Sequence, residues 1–239
     1  MEKELIKDKI IKLVNHYHNK NFDYVIKEGQ IILKKIPKNI FLINLIALSF
    51  QAKGNLKLAY NGYVEIINLD NKNKEAYNNL GTVFKTLKNY EDAKKNFEKS
   101  LEVDPKFVDA LTNLGNLHFE LNDYEKAINI LEKALDINNN NALAHYNLGL
   151  IYQSIGEQKK AIAELEKVLE INPANTNADK LLSRITKYDK DHKHLKEMEK
   201  KGKELELSDF QKIQLYFSLG KAFEDIKNYD ESFKYLKLA

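Results

Sequence analysis

Asn78-Asn79-Leu80-Gly81, Thr112-Asn113-Leu114-Gly115 and Tyr146-Asn147-Leu148-Gly149 carry one Asn-Leu-Gly core three times. The Leu-Gly pairs stand at 80, 114 and 148, a step of 34 residues both times. A constant step of that length marks stacked supersecondary units, each too small to bury its apolar face alone. With these glycines at position 8, a 34-residue frame gives units 74–107, 108–141 and 142–175 and extends back to 40–73 and 6–39. The prolines test the frame independently. Pro37, Pro105 and Pro173 all fall at position 32, with Asn71 and Asn139 in that slot between them. Both residue types end helices and favour turns.

Within a unit the apolar residues recur at helical spacing. In 74–107, Tyr77, Leu80, Gly81 and Phe84 form one stripe, and Tyr90, Ala93, Phe97, Ser100 and Leu101 form a second, with Lys88-Asn89 as a polar break. Two helices of about a dozen residues joined by a short turn make a hairpin. Positions 8 and 20 are small in the pairs Ala47/Ala59, Gly81/Ala93, Gly115/Ala127 and Gly149/Ala161. Glycine within a helix costs roughly 0.5–1 kcal/mol relative to alanine. Its recurrence therefore predicts two helices approaching too closely for a larger side chain.

These features resemble the tetratricopeptide repeat: an aromatic or large residue at position 4, Leu-Gly at 7–8, an aromatic at 11, Ala at 20 and 27, and Pro at 32. The resemblance is strong over 74–175 and good over 40–73, whereas 6–39 departs with Leu13 and Val25 at positions 8 and 20. It implies an all-α fold, a right-handed α-α superhelix, with five units within residues 1–175. After Pro173 the frame breaks. Asn177 to Tyr188 reads as a helix with Leu181, Leu182 and Ile185 on one side, and Ser208-Asp209 reads as a helix N-cap. Gly220 lies 71 residues beyond Gly149, two units plus three. A degenerate unit is therefore expected over 176–212 and a last repeat-like unit over 213–239. That last unit ends at Ala239 inside its second helix with no stop signal, which reads as a chain cut from something longer.

Composition narrows the function. The 239 residues are 43% hydrophobic, enough for a sizeable core, and nine Gly with three Pro suit helices. Thirty-eight basic and 35 acidic residues leave a net charge of +3. Arg184 is the single arginine, and nucleic-acid readers rely on arginine for bidentate contacts, so nucleic acid is not the expected partner. Abundant Lys, Asn and Ile suggest an AT-rich genome. No cysteine is present, which excludes disulfides and thiolate metal sites. The strongest apolar stretch, Ile40 to Phe50, contains Asn44 and Ser49 and is far too short to span a membrane, and the N-terminus lacks the apolar core of a signal peptide. A soluble cytoplasmic protein is expected, with no membrane partner and no cofactor.

No enzyme motif is present: the chain has no phosphate loop and no Gly-x-Ser-x-Gly elbow. His16/His18 and His192/His194 are spaced i, i+2, about 200° apart on a helix, and so read as solvent-exposed histidines rather than metal pairs. His118 and His145 occupy aromatic packing positions and read as core imidazoles with a hydrogen-bonded nitrogen. The positive signal lies at positions 2, 5, 6, 9 and 13, one face of each first helix, which lines the concave surface of a stacked solenoid. Asn78, Asn79, Thr82, Thr112, Asn113, Asn116, Tyr146 and Asn147 lie there as the candidate peptide-binding groove. Asn79, Asn113 and Asn147 repeat at position 6. A side-chain amide both donates and accepts, so such a row suits an extended peptide backbone. Ile11, Phe41, Leu45 and Leu48 suggest an apolar stretch towards the N-terminus.

Two family comparisons sharpen this. Chaperone-adaptor tetratricopeptide domains grip a carboxylate with basic residues at positions 2, 5 and 6, where this chain has Glu75, Asp109, Leu143 and asparagines, so that clamp is missing. The asparagine row is similar to the groove of the O-linked N-acetylglucosamine transferases. The stretch from Leu182 to Tyr188, then Leu207-Ser208-Asp209 and Leu215 to Asp225, resembles the segment joining repeats to catalytic domain in bacterial tetratricopeptide–sulfotransferase proteins. That resemblance implies a substrate-recognition module of a larger sulfotransferase-like protein rather than catalysis in this chain. The alternatives are a free-standing adaptor that assembles protein complexes, or a module that self-associates as a homodimer through apolar surface left open by its incomplete last unit.

Overall fold

A computed structural model describes residues 2–239, with side chains from Ile6 onward. The fold is all-α, with fourteen helices among the described residues. It divides into two compact units, Met1–Leu117 and His118–Ala239. The first holds α1 (Glu2–His18), α2 (Phe22–Leu33), α3 (Ile40–Ala52), α4 (Leu56–Leu69), α5 (Lys74–Thr86) and α6 (Tyr90–Val103). Helix α7 (Val108–Glu120) runs across the division. The second holds α8 (Tyr124–Ile137), α9 (Ala142–Ser154), α10 (Gln158–Ile171), α11 (Thr176–Ile185), α12 (Lys193–Glu204), α13 (Asp209–Asp225) and α14 (Tyr229–Leu238). Helices α3, α5, α7, α9 and α11 begin at residues 40, 74, 108, 142 and 176, and so keep the 34-residue step of the sequence.

Asparagine starts most of these helices. The side chains of Asn21, Asn39, Asn73, Asn89, Asn141, Asn175 and Asn228 each accept a backbone N–H from the first turn of the helix that follows. Replacing such a cap by alanine typically costs about 1 kcal/mol. The asparagine content thus has a structural use beyond any codon bias. Each hairpin turn holds one residue at positive φ: Lys20, Gly54, Lys88, Asn122, Gly156 and Lys227. The first five are 34 residues apart, since the turn must reverse the chain within three residues between helices.

In unit 1 one core joins Leu13, Val25, Ile32, Leu42 and Ile46, and a second joins Ile43, Ala47, Ala59, Tyr63, Ile66 and Leu80. Leu13 and Val25, which depart from the repeat pattern, are nonetheless fully enclosed. The small-residue positions are explained by what faces them. A Cβ at Gly81 would lie 2.6 Å from the Phe97 ring, and one at Gly149 would lie 2.9 Å from the Leu165 side chain. Glycine on the first helix therefore makes room for the large residue at position 24 of the second, rather than for the alanine at position 20. In the pair α3–α4 the roles exchange. Ala47 sits on the first helix, and a Cβ at Gly62 on the second would lie 2.8 Å from the Ala47 Cβ.

The sequence predicts a helix from Asn177 to Tyr188, but α11 stops at Ile185. Tyr188 is drawn into the core formed by Leu195, Met198, Leu215 and Phe223, and its N–H donates to Asp225 at 3.2 Å. That pull holds 186–188 extended and lets α11 pack on α13. Ser208 caps α13 with a full capping box to Gln211, as its Ser-Asp sequence predicts.

Candidate functional site

The first-helix face of unit 1 is built on α3, α5 and the start of α7. Asn79, Thr82, Asn113 and Asn116 are half-buried there. Asn78 and Thr112 are enclosed, at 6% and 2% exposure. The reason is a ladder of side-chain hydrogen bonds. Asn79 Nδ2 donates to Asn44 Oδ1 at 3.3 Å, and Asn113 Nδ2 donates to Asn78 Oδ1 at 2.9 Å. Position 6 of one helix thus reaches position 5 of the helix before it. A second row repeats one turn further on: Gln51 Nε2 donates to Thr82 Oγ1 at 2.9 Å, and Lys85 Nζ donates to Asn116 Oδ1. Gln51 also accepts from the Tyr63 hydroxyl at 2.7 Å, which ties this row to the second helices.

These rungs assign the asparagines a role that periodicity alone did not show. Each amide offers two N–H groups and a carbonyl with two lone pairs. The rung of Asn79 uses one N–H and fixes the orientation of the rest. A clue was legible in the polar residues at position 5 (Asn44, Asn78, Thr112), which an apolar packing seam would not carry. Thr112 instead returns its hydroxyl to Val108 O at 2.8 Å on its own helix. Towards the N-terminus, Phe41 is 55% exposed and Ile11 50%, whereas Leu45 is core at 6%. Leu45 therefore does not belong to an apolar groove: its side chain packs with Leu42 and Ile46 against Val25 and Ile32.

In unit 2, Asn147 is enclosed at 2% exposure within α9, and Tyr146 is half-buried against the cluster of Leu165, Val168 and Leu181. Burial raises the Tyr146 phenol above its ordinary pKa. Neither side chain stands out as an exposed reading group. His145 lies in the core, with Nδ1 2.6 Å from Glu164 Oε2 and Nε2 3.0 Å from the Asn139 carbonyl. His118, 6% exposed, lies 3.3 Å from Asp123 Oδ2. His145 fits the expected core imidazole with a hydrogen-bonded nitrogen, whereas His118 is enclosed but its Nδ1 makes no hydrogen bond among the described residues.

His194 does not fit the expected solvent-exposed histidine. It is 5% exposed, with Nδ1 2.7 Å from the Tyr188 hydroxyl and Nε2 3.0 Å from Asp179 Oδ1. The i, i+2 spacing misled because His192 stands at the N-cap position, before the first turn of α12, and only His194 is inside the helix. Asp179, fully enclosed on α11, also takes Lys201 Nζ at 2.5 Å. An imidazole donating from Nε2 to that carboxylate accepts from Tyr188 at Nδ1, so every member has a partner. Burial first, then the Asp179 and Asp225 charges, raises the Tyr188 phenol well above its ordinary pKa. Among the described residues no cluster of three or more metal-ligating side chains occurs, and no helix is long and apolar enough to cross a membrane.

Comparison with known families places this geometry. Models described as "Tetratricopeptide repeat" match 75–107, 96–129, 142–175 and 213–239, and one described as "TPR repeat" matches 115–156. Together they cover 75–175 and 213–239, more than half of the chain. No curated protein matches the chain. Among solved structures, a thermophilic tetratricopeptide repeat protein of Thermus thermophilus is 18% identical with a TM-score of 0.66, covering 75% of this chain and 96% of its own. A tetratricopeptide repeat protein of Parabacteroides merdae is 17% identical with a TM-score of 0.62 and covers 98% of both chains. YrrB, described as a tetratricopeptide repeat protein with an unusual peptide-binding site, is 19% identical with a TM-score of 0.52, covering 87% of this chain and 97% of its own. These likenesses show the fold. None of them supports the sulfotransferase association.

Proposed function

Because the chain is a tetratricopeptide repeat protein, we propose that this protein-binding scaffold takes an extended segment of a partner protein along the face of α3, α5 and the start of α7. The supporting observation is the pair of side-chain rows on that face. Asn79 and Asn113 are oriented by their rungs to Asn44 and Asn78, and each amide keeps capacity for a passing backbone. Preorganised groups lose little entropy on binding, which favours affinity. The exposed acids Glu75 and Asp109 flank the rows and favour a segment that is basic beside its backbone contacts. Association with a sulfotransferase-like domain finds no support and forms no part of this reading.

The test is a peptide selected from a display library on the whole protein, then scanned by backbone N-methylation. Methylating an amide that meets the asparagine row is expected to weaken binding about tenfold, the equivalent of one hydrogen bond of about 1.4 kcal/mol. Asn79→Ala with Asn113→Ala is expected to match that loss, and also to lower stability by about 1 kcal/mol per rung. Tight binding by every methylated peptide and by the double variant would refute a backbone-reading face.

A second reading, self-association, is favoured by the last helix pair. Leu236 stands at position 24 and is 45% exposed, whereas Tyr63, Phe97, Leu131 and Leu165 in that position are fully buried. Beside it, Phe217 and Phe233 are 50% and 72% exposed. A patch of that kind promotes association. Light scattering is expected to show a dimer at micromolar concentration that Phe233→Asp dissociates. A monomer across the whole concentration range rules this reading out.

A further inference from the structure

The first-helix face leaves one large feature of unit 2 unused. A cleft of about 600 Å³ opens between α10 and α12, with Asp179 of α11 at its floor. Its origin is local. Regular hairpins join their helices through three residues, as α9 and α10 do, but α11 and α12 are joined by 186–192. The longer link lets α12 pack on α13, so it does not close against α10 as the second helix of a regular pair would.

Charge decides what the cleft accepts. Its α12 wall carries Lys193 and Lys200, each tied along the helix to a carboxylate one turn on, Glu197 at 3.5 Å and Glu204 at 3.7 Å. The α10 wall carries Glu166 and Glu170, and Glu170 pairs with Lys167 at 2.7 Å. Glu166 has no ion-pair partner among the described residues. At the floor, the Lys201 charge is met by Asp179. An anion could reach Lys201 only by taking it from Asp179, which would leave a fully buried carboxylate short of its main partner. A cation meets no such penalty, and Glu166 stands ready for it. Leu169, Pro173 and Leu205 supply apolar wall beside these charges.

We propose that the cleft between α10 and α12 binds an organic cation, an ammonium or guanidinium carried on an apolar stem, with Glu166 as its counter-charge and Leu169, Pro173 and Leu205 around the stem. The site is separate from the first-helix face, so the two proposals stand or fall independently. The same chemistry reaches the cleft as a free amine or as an arginine side chain of a peptide, and the two sources are separable.

The experiment is amide chemical-shift titration of the full chain with agmatine, with an acetylated Gly-Arg-Gly amide peptide, and with butyrate as an anion on a comparable stem. Saturable shifts at the amides of α10 and α12 are expected with at least one cation and not with butyrate. Saturation by agmatine alone assigns a free amine, and saturation by the peptide assigns an arginine side chain. Glu166 is exposed and unpaired, so Glu166→Lys is expected to keep the wild-type melting curve while weakening the cation at least tenfold. No saturable shift from either cation, an undiminished response in Glu166→Lys, or tighter binding of butyrate would each overturn the assignment.

Discussion

Replacing Lys201 by methionine is expected to lower the melting temperature of the second unit by on the order of 10 °C. Lys201 is 7% exposed and Asp179 is fully enclosed, so their contact at 2.5 Å is largely shielded from water. Methionine fills similar volume without the charge. The carboxylate then keeps only His194, at 3.0 Å. Removing one partner of a buried pair typically costs about 3–5 kcal/mol, because the remaining ion is stranded in a medium that solvates it poorly. At about 2–4 °C per kcal/mol for a chain of this size, the shift is easily read by calorimetry or circular dichroism. The double variant Asp179→Leu with Lys201→Met removes both charges and is expected to recover most of the loss, since apolar replacement of a whole buried pair is often neutral. Wild-type melting of Lys201→Met would mean that Asp179 holds no charge in need of a partner. The same variant reports on architecture, because Asp179 is the point at which α11 holds α12.

Gly81→Leu is the second large effect, and it acts in the first unit. A Cβ at this position already lies 2.6 and 2.7 Å from two atoms of the Phe97 ring, and Phe97 is fully buried. A planar ring in a packed core cannot yield as the tip of a flexible side chain would, so α5 and α6 must separate. Overpacking of this kind typically costs about 1–3 kcal/mol, and the extra branched carbons place Gly81→Leu at the upper end. Gly81→Ala is expected to show the same sign with a smaller loss, even though alanine is the better helix former by roughly 1 kcal/mol. The decisive comparison is the cycle with Phe97→Val. Shrinking the ring costs stability in the wild-type background, but is expected to cost at least about 1 kcal/mol less beside Gly81→Ala, as contacting residues couple. Strict additivity in urea denaturation would reject the close-contact explanation.

Recurrence of glycine at position 8 is enough to predict that two helices come close, and that prediction uses only the cost of glycine in a helix. It pointed to the alanine at position 20 as the facing residue. The facing residue is the large one at position 24, one turn further along the partner helix. A single sequence gives the spacing along each helix but not the axial offset between two of them, and that offset decides which side chains meet.

The asparagines show the same limit. Their place on one face follows from the 3.6-residue period. Their use in rungs depends on the next first helix lying one residue out of register, so that Asn113 meets Asn78 rather than Asn79. The enclosed Asn78, Thr112 and Asn147 were indistinguishable from their half-buried neighbours in the sequence.

The amino-acid sequence by itself determined the repeat, the all-α class and the spacing of the helix starts, because these depend on local periodicity, turn residues and capping. Only the tertiary structure decided which polar groups are buried and with whom. The cluster of Asp179, Tyr188, His194 and Lys201 is spread over 23 residues and two helices, and its members meet because Tyr188 ends α11 early and turns α12 onto α13. Burial of a charge is governed by what packs over it, and no local pattern encodes that.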